Sequence, residues 1–276
     1  MPERDDSESG KLAKALLWLG TLVTAVATAW ATDVFGLVVR PADLLGAGKP
    51  PMLATVLPGT GHGSDLAVAA LPGSPRDRAV FLSGRFEDEA FIDVAARLGG
   101  AWVNRMTVRV VLESNRDLIR VTDVRVKEIS PRQPIVTHAF VEFPQEGVSD
   151  NPQLSVDLNS RDKFFAGAQK PGRPFFGDHS LSLKRGQQTE LGLEIEAGAH
   201  SHTFVLEVRY VEAGSGKEEI FTVTGRKGRP FRLTGAPRVY TGYNMVYRNT
   251  GAGLRPVRGR AACEIFMAGR ACAAGR

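Results

Sequence analysis

The sequence predicts a mainly β protein: an antiparallel β-sandwich or barrel behind an N-terminal transmembrane helix, with a small helical lead-in between the two. Three observations carry this. Eighteen residues, Ala15 to Thr32, run without a charge, and six more, Val34 to Val39, follow before Arg40. At about 1.5 Å per residue such a run just crosses a hydrocarbon core about 30 Å thick. From Ala101 onward apolar and polar residues alternate with period two in segment after segment, as in strands packed on one face and wet on the other. Between these regions, residues 40 to 78 are so dense in Gly and Pro that long regular elements are disfavoured.

Residues 1 to 14 read as a short polar cytoplasmic head, because MPERDDSESG has no apolar run to bury. Arg4, Lys11 and Lys14 precede the span and Arg40 and Lys49 follow it, so the orientation that keeps Lys11 and Lys14 inside exports the rest. Residues 15 to 39 admit two readings. One is a cleavable signal, with Ala15 to Thr28 as its apolar region and Ala29-Trp30-Ala31 as its cleavage site. The other, preferred here, is a single-pass anchor, since Phe35, Leu37, Val38 and Val39 prolong the apolar character past Ala31. Residues 40 to 78 then form a stalk, with Met52 to Leu57 as a short strand and Asp65 to Leu71 as a short helix. Residues 79 to 100 are the helical lead-in: Phe91, Val94, Ala95 and Leu98 share one face of Glu87 to Leu98, acids stand at its start and Gly99-Gly100 ends it.

Residues 101 to 248 form the β domain. Met106, Val108, Val110 and Leu112 alternate with Thr107, Arg109, Val111 and Glu113. Further strands are expected over 119 to 126, 137 to 143, 153 to 158, 180 to 183, 190 to 196, 202 to 211, 219 to 224, 231 to 234 and 239 to 247, with Lys184 to Gln187 and Ala213 to Gly216 as turns. Residues 249 to 276 read as a basic disordered tail: from Arg226 onward eleven Lys or Arg face one acid, Glu264. The two cysteines, Cys263 and Cys272, both lie in this tail. The body of the fold is therefore no disulfide scaffold, and whether the two pair stays open.

Apolar content of 43% and charged content of 24% are ordinary for a globular protein. Arginine exceeds lysine by 26 to 9 beside abundant Ala and Gly, a high-GC bacterial bias that argues against reading each arginine as functional. The basic tail lacks interleaved aromatics, so nucleic acid is not an expected partner. No G-x-S-x-G, H-E-x-x-H or Ser/Lys signature occurs, and neither catalysis nor a cofactor is expected. Glu87-Asp88-Glu89 offers a carboxylate pair for glycoside chemistry, but acids at a helix start answer to the helix dipole.

The stretch LSLKRGQQTELGLEIEAGAHSHTFVLEVRYVEAGSGKEEIFTVTG, from Leu181 to Gly225, resembles the later strands of bacterial immunoglobulin-like sandwich modules: a basic-Gly turn, then two long strands joined by a Gly-rich hairpin. With the single span, the chain is similar to uncharacterised membrane-anchored exported proteins of high-GC Gram-positive bacteria. The resemblance covers residues 101 to 248. It departs from that pattern in lacking a Cys-Trp-Cys core, Trp102 being the one tryptophan outside the span. It implies an adhesive, scaffolding or sensing role.

Several motifs compete with plainer readings. Leu57-Pro58-Gly59-Thr60-Gly61 matches the LPxTG sorting signal but follows the apolar span instead of preceding one, and Gly59-x-Gly61-x-Gly63 departs from a phosphate-cradling loop. Both are read as stalk. His200-Ser201-His202 is the most metal-like feature: within a strand the two imidazoles share a face, and His138, His179 or Glu190 would supply a third ligand. The same residues also read as a hairpin turn. Phe164, Phe165, Phe175 and Phe176 flank the loop from Ala166 to Pro174 and either anchor a partner or plug the end of the sandwich. The expected function is noncatalytic binding or scaffolding at the cell envelope. The membrane is engaged through residues 15 to 39, the C-terminal domain is extracytoplasmic, and an envelope protein is the partner. The alternative is an exported hydrolase or metal-binding domain.

Overall fold

The alternating segments fold as strands and bury one face. In the RMTVRVVLES stretch Met106, Val108, Val110, Leu112 and Ser114 are buried, while the residues between them stay partly or fully exposed. The computed structural model describes residues 50–57, 65–143, 154–167, 170–266 and 272. The predicted span, 15 to 39, lies outside the described residues, as does most of the LPxTG match. Among the described residues no helix is long and apolar enough to cross a membrane. The strands are β1 (Met52–Val56), β2 (Leu66–Val68), β3 (Ala101–Val103), β4 (Arg105–Ser114), β5 (Leu118–Gln133), β6 (Ala139–Val141), β7 (Leu154–Asp157), β8 (Ala166–Gly167), β9 (Leu181–Lys184), β10 (Gln188–Glu196), β11 (Ser201–Glu212), β12 (Glu218–Val223), β13 (Phe231–Thr234), β14 (Met245–Asn249) and β15 (Leu254–Val257). The helices are α1 (Pro75–Leu82), α2 (Glu89–Arg97), α3 (Phe175–Asp178) and α4 (Gly259–Phe266).

The chain is mainly β, in two sheets. One has the order β1-β4-β10-β7-β8; the other runs β15-β14-β6-β2-β3-β13-β11-β5-β9, with β12 also paired to β11. Between the first sheet and the β13-β11-β5-β9 half of the second lies the main core, where Val108, Leu112, Leu193 and Ile195 join Ile119, Val121, Phe204 and Leu206. The sheets are mixed, not antiparallel throughout as the alternation suggested. The pairs β7·β10, β3·β13 and β6·β14 are parallel, because each joins strands separated by long crossing connections, which hairpin turns cannot supply.

The other half of the second sheet is covered on both faces. Leu66, Val68, Ala139, Val141 and Tyr247 pack with Phe81, Phe91 and Val94 of α1 and α2. Ala67, Phe140 and Val246 face the other way, into a cluster with Ala262 and Ile265 of α4. Helix α1 starts where Ser74 accepts the Asp77 N–H at 3.0 Å and Pro75 takes the first helical position. Helix α2 stops in a Schellman arrangement: Gly99, at φ +72°, donates to Ala96 and Gly100 donates to Ala95. Burying Phe81 and Phe91 fully, each worth about 2–3 kcal/mol over exposure to water, holds this helical pair on the sheet.

Three expectations are corrected. The described parts of residues 40 to 78 are not a free stalk: Met52 is fully buried and β1 pairs with β4 from Met52↔Ser114 to Val56↔Val110. The segment Asp65 to Leu71, expected as a helix, holds β2, which pairs with β3 and β6. All three residues of β2 are buried, so tertiary burial overrides the weak local preference. The tail is not wholly disordered. It supplies β15 and α4, with Cys263 and Cys272 joined in a disulfide and Ala262 and Ile265 buried.

Candidate functional site

Strands β5 and β11 lie side by side, with Leu206 opposite Val126 and Phe204 opposite Glu128. Toward the core β5 presents Val124, Val126 and then Glu128, while β11 presents Leu206, Phe204 and then His202. Alternation thus sets a carboxylate and an imidazole as diagonal neighbours at positions whose phase belongs to apolar residues. His202 Nδ1 lies 2.5 Å from Glu128 Oε1, and Lys163, from the segment between β7 and β8, bonds Glu128 Oε2. The side chains of His202, Glu128 and Lys163 are 0%, 11% and 23% exposed. Three ionisable groups from three separate segments therefore meet between the sheets.

Because a carboxylate accepts, His202 Nδ1 is assigned the proton. Nε2 is then a bare acceptor, with no hydrogen-bond partner among the described residues. Burial holds the His202 imidazole below its ordinary range; the positive charges of Lys163, His200 and Arg132 push the same way, and Asp157 opposes them. Burial likewise lowers the Lys163 amine. Asp157 accepts from the Asn159 N–H and side-chain amide at 2.8 Å, and Ser201 Oγ and Thr234 Oγ1 bond at 2.7 Å in the interior. A Cβ on Gly235 would lie 1.9 Å from the Gly198 carbonyl oxygen, so only glycine fits beside the turn that leads into His202.

The structure does not bring the predicted metal ligands together. His200 is exposed on the turn before β11, which begins at Ser201, so it does not share the buried face of His202. Glu190 pairs with Arg109 at 2.6 Å, the His179 ring lies 4.7 Å from that of Phe175, and His138 sits beside Asn244. Among the described residues no group of three or more His, Cys, Asp or Glu is arranged to hold a metal ion. Three of the four phenylalanines pack into or against the core. Phe165 is buried, Phe175 and Phe176 pack half-buried against the main cluster, and Phe164 makes a single bridge to Arg125.

A groove of about 410 Å³ runs between β1 and β12, lined by Ala54, Thr55 and Val56 on one side and by Phe221, Val223 and Arg226 on the other. Strand β1 ends its sheet. Pro51 accepts from the Asn115 N–H and Leu57 donates to the Arg109 carbonyl. The odd-numbered residues therefore bond β4, and the N–H and C=O groups of Ala54 and Val56 point to the open edge. Other outer strands carry guards: Arg255 and Pro256 in β15, Lys184 in β9, Glu218 and Glu219 in β12, and mere brevity in β8. Strand β1 has neither charge nor proline, and Leu53 is 43% exposed.

A second polar cluster lies by β2. Asp65 accepts the Phe143 N–H at 3.0 Å, yet burial, with help from Glu142, pushes its carboxyl up to about 6. Tyr243 is buried with its hydroxyl unpartnered among the described residues, and burial followed by the Asp65 charge raises it far above the usual phenol value.

Sequence reasoning singled out His202 but missed Glu128, Lys163 and the β1 edge. The available signal was phase: in V-x-V-x-E and H-x-F-x-L the polar residue occupies a core position of the alternation. Comparison with family models, with curated proteins and with solved structures finds no match, so function is read from the chain's own geometry.

Proposed function

We propose that this chain is a membrane-anchored envelope protein, immunoglobulin-like in its long β10–β12 strands, that works without catalysis by binding a protein partner at its β1 edge. The observation that carries the reading is the unguarded edge of β1 facing a groove. An uncharged outer strand normally invites aggregation, and soluble proteins blunt such edges. An extended segment of a partner would pair with Ala54 and Val56 by strand addition and lay alternate side chains into the groove toward Phe221 and Val223. Anchoring through residues 15 to 39 and an extracytoplasmic position fit the Cys263–Cys272 bridge, since disulfides persist in oxidising compartments. The test is a photoreactive amino acid at Thr55, with Ser182 on β9, an edge strand of the other sheet, as control, irradiated in cells. A discrete adduct from Thr55 alone is expected. Replacing Ala54 with Pro should abolish it, because Pro removes an edge-facing N–H and leaves the β4 ladder intact. Equal adducts from both positions, or an adduct indifferent to Ala54→Pro, would refute strand addition.

A further inference from the structure

The cluster of Lys163, Glu128 and His202 has the components of a self-joining reaction. An amine and a carboxyl group are in direct contact, the Glu128 side chain is largely shielded from water and the Lys163 side chain partly so, and a hydrogen-bond donor sits on the carboxyl oxygen remote from the amine. As an ion pair the two groups carry the desolvation cost of both charges. Proton transfer within the pair gives a neutral amine beside a neutral acid, a form that burial favours. The fold fixes the partners, so attack needs no encounter, the situation in which effective concentrations are highest.

We propose that Lys163 and Glu128 condense to an intramolecular amide, with the His202 Nδ1–H as the oxyanion donor that promotes the step. The Lys163 Nζ lone pair attacks Glu128 Cδ. Negative charge grows on Oε1, the atom bonded by His202, in a preorganised site of the kind that stabilises tetrahedral intermediates. The C–Oε2 bond then breaks and Oε2 leaves as water. The protonated amine and the carboxylate hold three hydrogens and two oxygens between them; the amide keeps one of each and the water takes the rest, with no oxidant or co-reactant needed. Two partly desolvated charges disappear, and His202 keeps an acceptor, now the amide oxygen. The bond would join β5 of one sheet covalently to the segment that follows β7 of the other, where the single Arg125–Phe164 bridge already sets the two side by side.

Tryptic digestion of the full chain, purified in detergent, tests this by mass spectrometry. Trypsin cleaves after Lys and Arg, so an unlinked chain releases residues 128–132 and a cut after Lys163. The expected product is a branched peptide joining residues 128–132 to residues 162–184, since trypsin spares the Lys170–Pro171 and Arg173–Pro174 bonds, lighter than the sum of the two by one water and uncut at Lys163. Lys163→Arg and Glu128→Ala should each lack the branch, and His202→Phe should accumulate unlinked chain. Complete recovery of the separate peptides from the wild-type chain would overturn the proposal, whatever the variants do. Full linkage in His202→Phe at the wild-type rate would overturn the role of His202.

Discussion

Replacing Asp65 with Asn should stabilise the protein at neutral pH and erase part of its pH dependence. The carboxyl rises from 3.8 to about 6 in the fold. At about 1.4 kcal/mol per unit this is a native-state cost of about 3 kcal/mol once the group is ionised, and partial exposure cuts it to about 1–2 kcal/mol. Because the folded value exceeds the unfolded one, the native state binds the proton more tightly. The cost is absent below the unfolded value, grows between pH 4 and 6, and is complete above the folded value. Asparagine keeps an oxygen to accept the Phe143 N–H and removes the charge beside Glu142 and Tyr243. Urea unfolding of both proteins at neutral and at mildly acidic pH checks this, the difference between them cancelling every other titrating group. A variant more stable at neutral pH, with the gain vanishing in acid, is expected. A variant less stable at neutral pH, or a difference independent of pH, would refute the assignment of cost to a buried charge.

Gly235→Ala should lose about 3 kcal/mol or fail to fold, since the new Cβ would strike the Gly198 carbonyl oxygen at 1.9 Å; thermal melting reads this, and an unchanged Tm would contradict the packing described. Phe91→Ala should lose about 3–5 kcal/mol by emptying the cluster that seats α2, measured by chemical denaturation. Reducing the Cys263–Cys272 bridge should lower stability by up to about 3 kcal/mol, the loop-entropy value for so short a ring, with amide exchange rising first in α4. The His202 imidazole, held down by burial, should titrate below the ordinary histidine range in NMR spectra. With its folded value depressed, its contribution to stability is present above the unfolded value and is lost as pH falls through the folded one.

The legibility of the chain follows from how many faces each strand buries. In β4, β10 and β11 one face meets the main core and the other meets water, so Met106 to Leu112, Leu191 to Ile195 and Phe204 to Tyr210 announce themselves by alternation. In β2 and β6 every residue is buried, since α1 and α2 cover one side and the α4 cluster the other. Such a strand reads as a short apolar run among glycines and prolines, without period. Helix α4 was hidden for another reason: Arg258 and Arg260 with neighbouring Gly and Ala look like a solvated extension, while Ala262, Cys263 and Ile265 are buried only because a sheet face and a disulfide await them. At the candidate site, histidine draws attention by type, whereas Glu128 and Lys163 pass for surface charges until strand phase and the return of the β7–β8 segment place them between the sheets.

The central claim, a β module displayed outside the membrane, is tested most directly by labelling. Lys217 is exposed in the turn between β11 and β12, and the native cysteines are bridged, so Lys217→Cys adds a single reactive thiol among the described residues. A membrane-impermeant maleimide applied to intact cells should label this variant and leave the wild type unlabelled. Labelling of Lys217→Cys only after the membrane is opened would contradict the account.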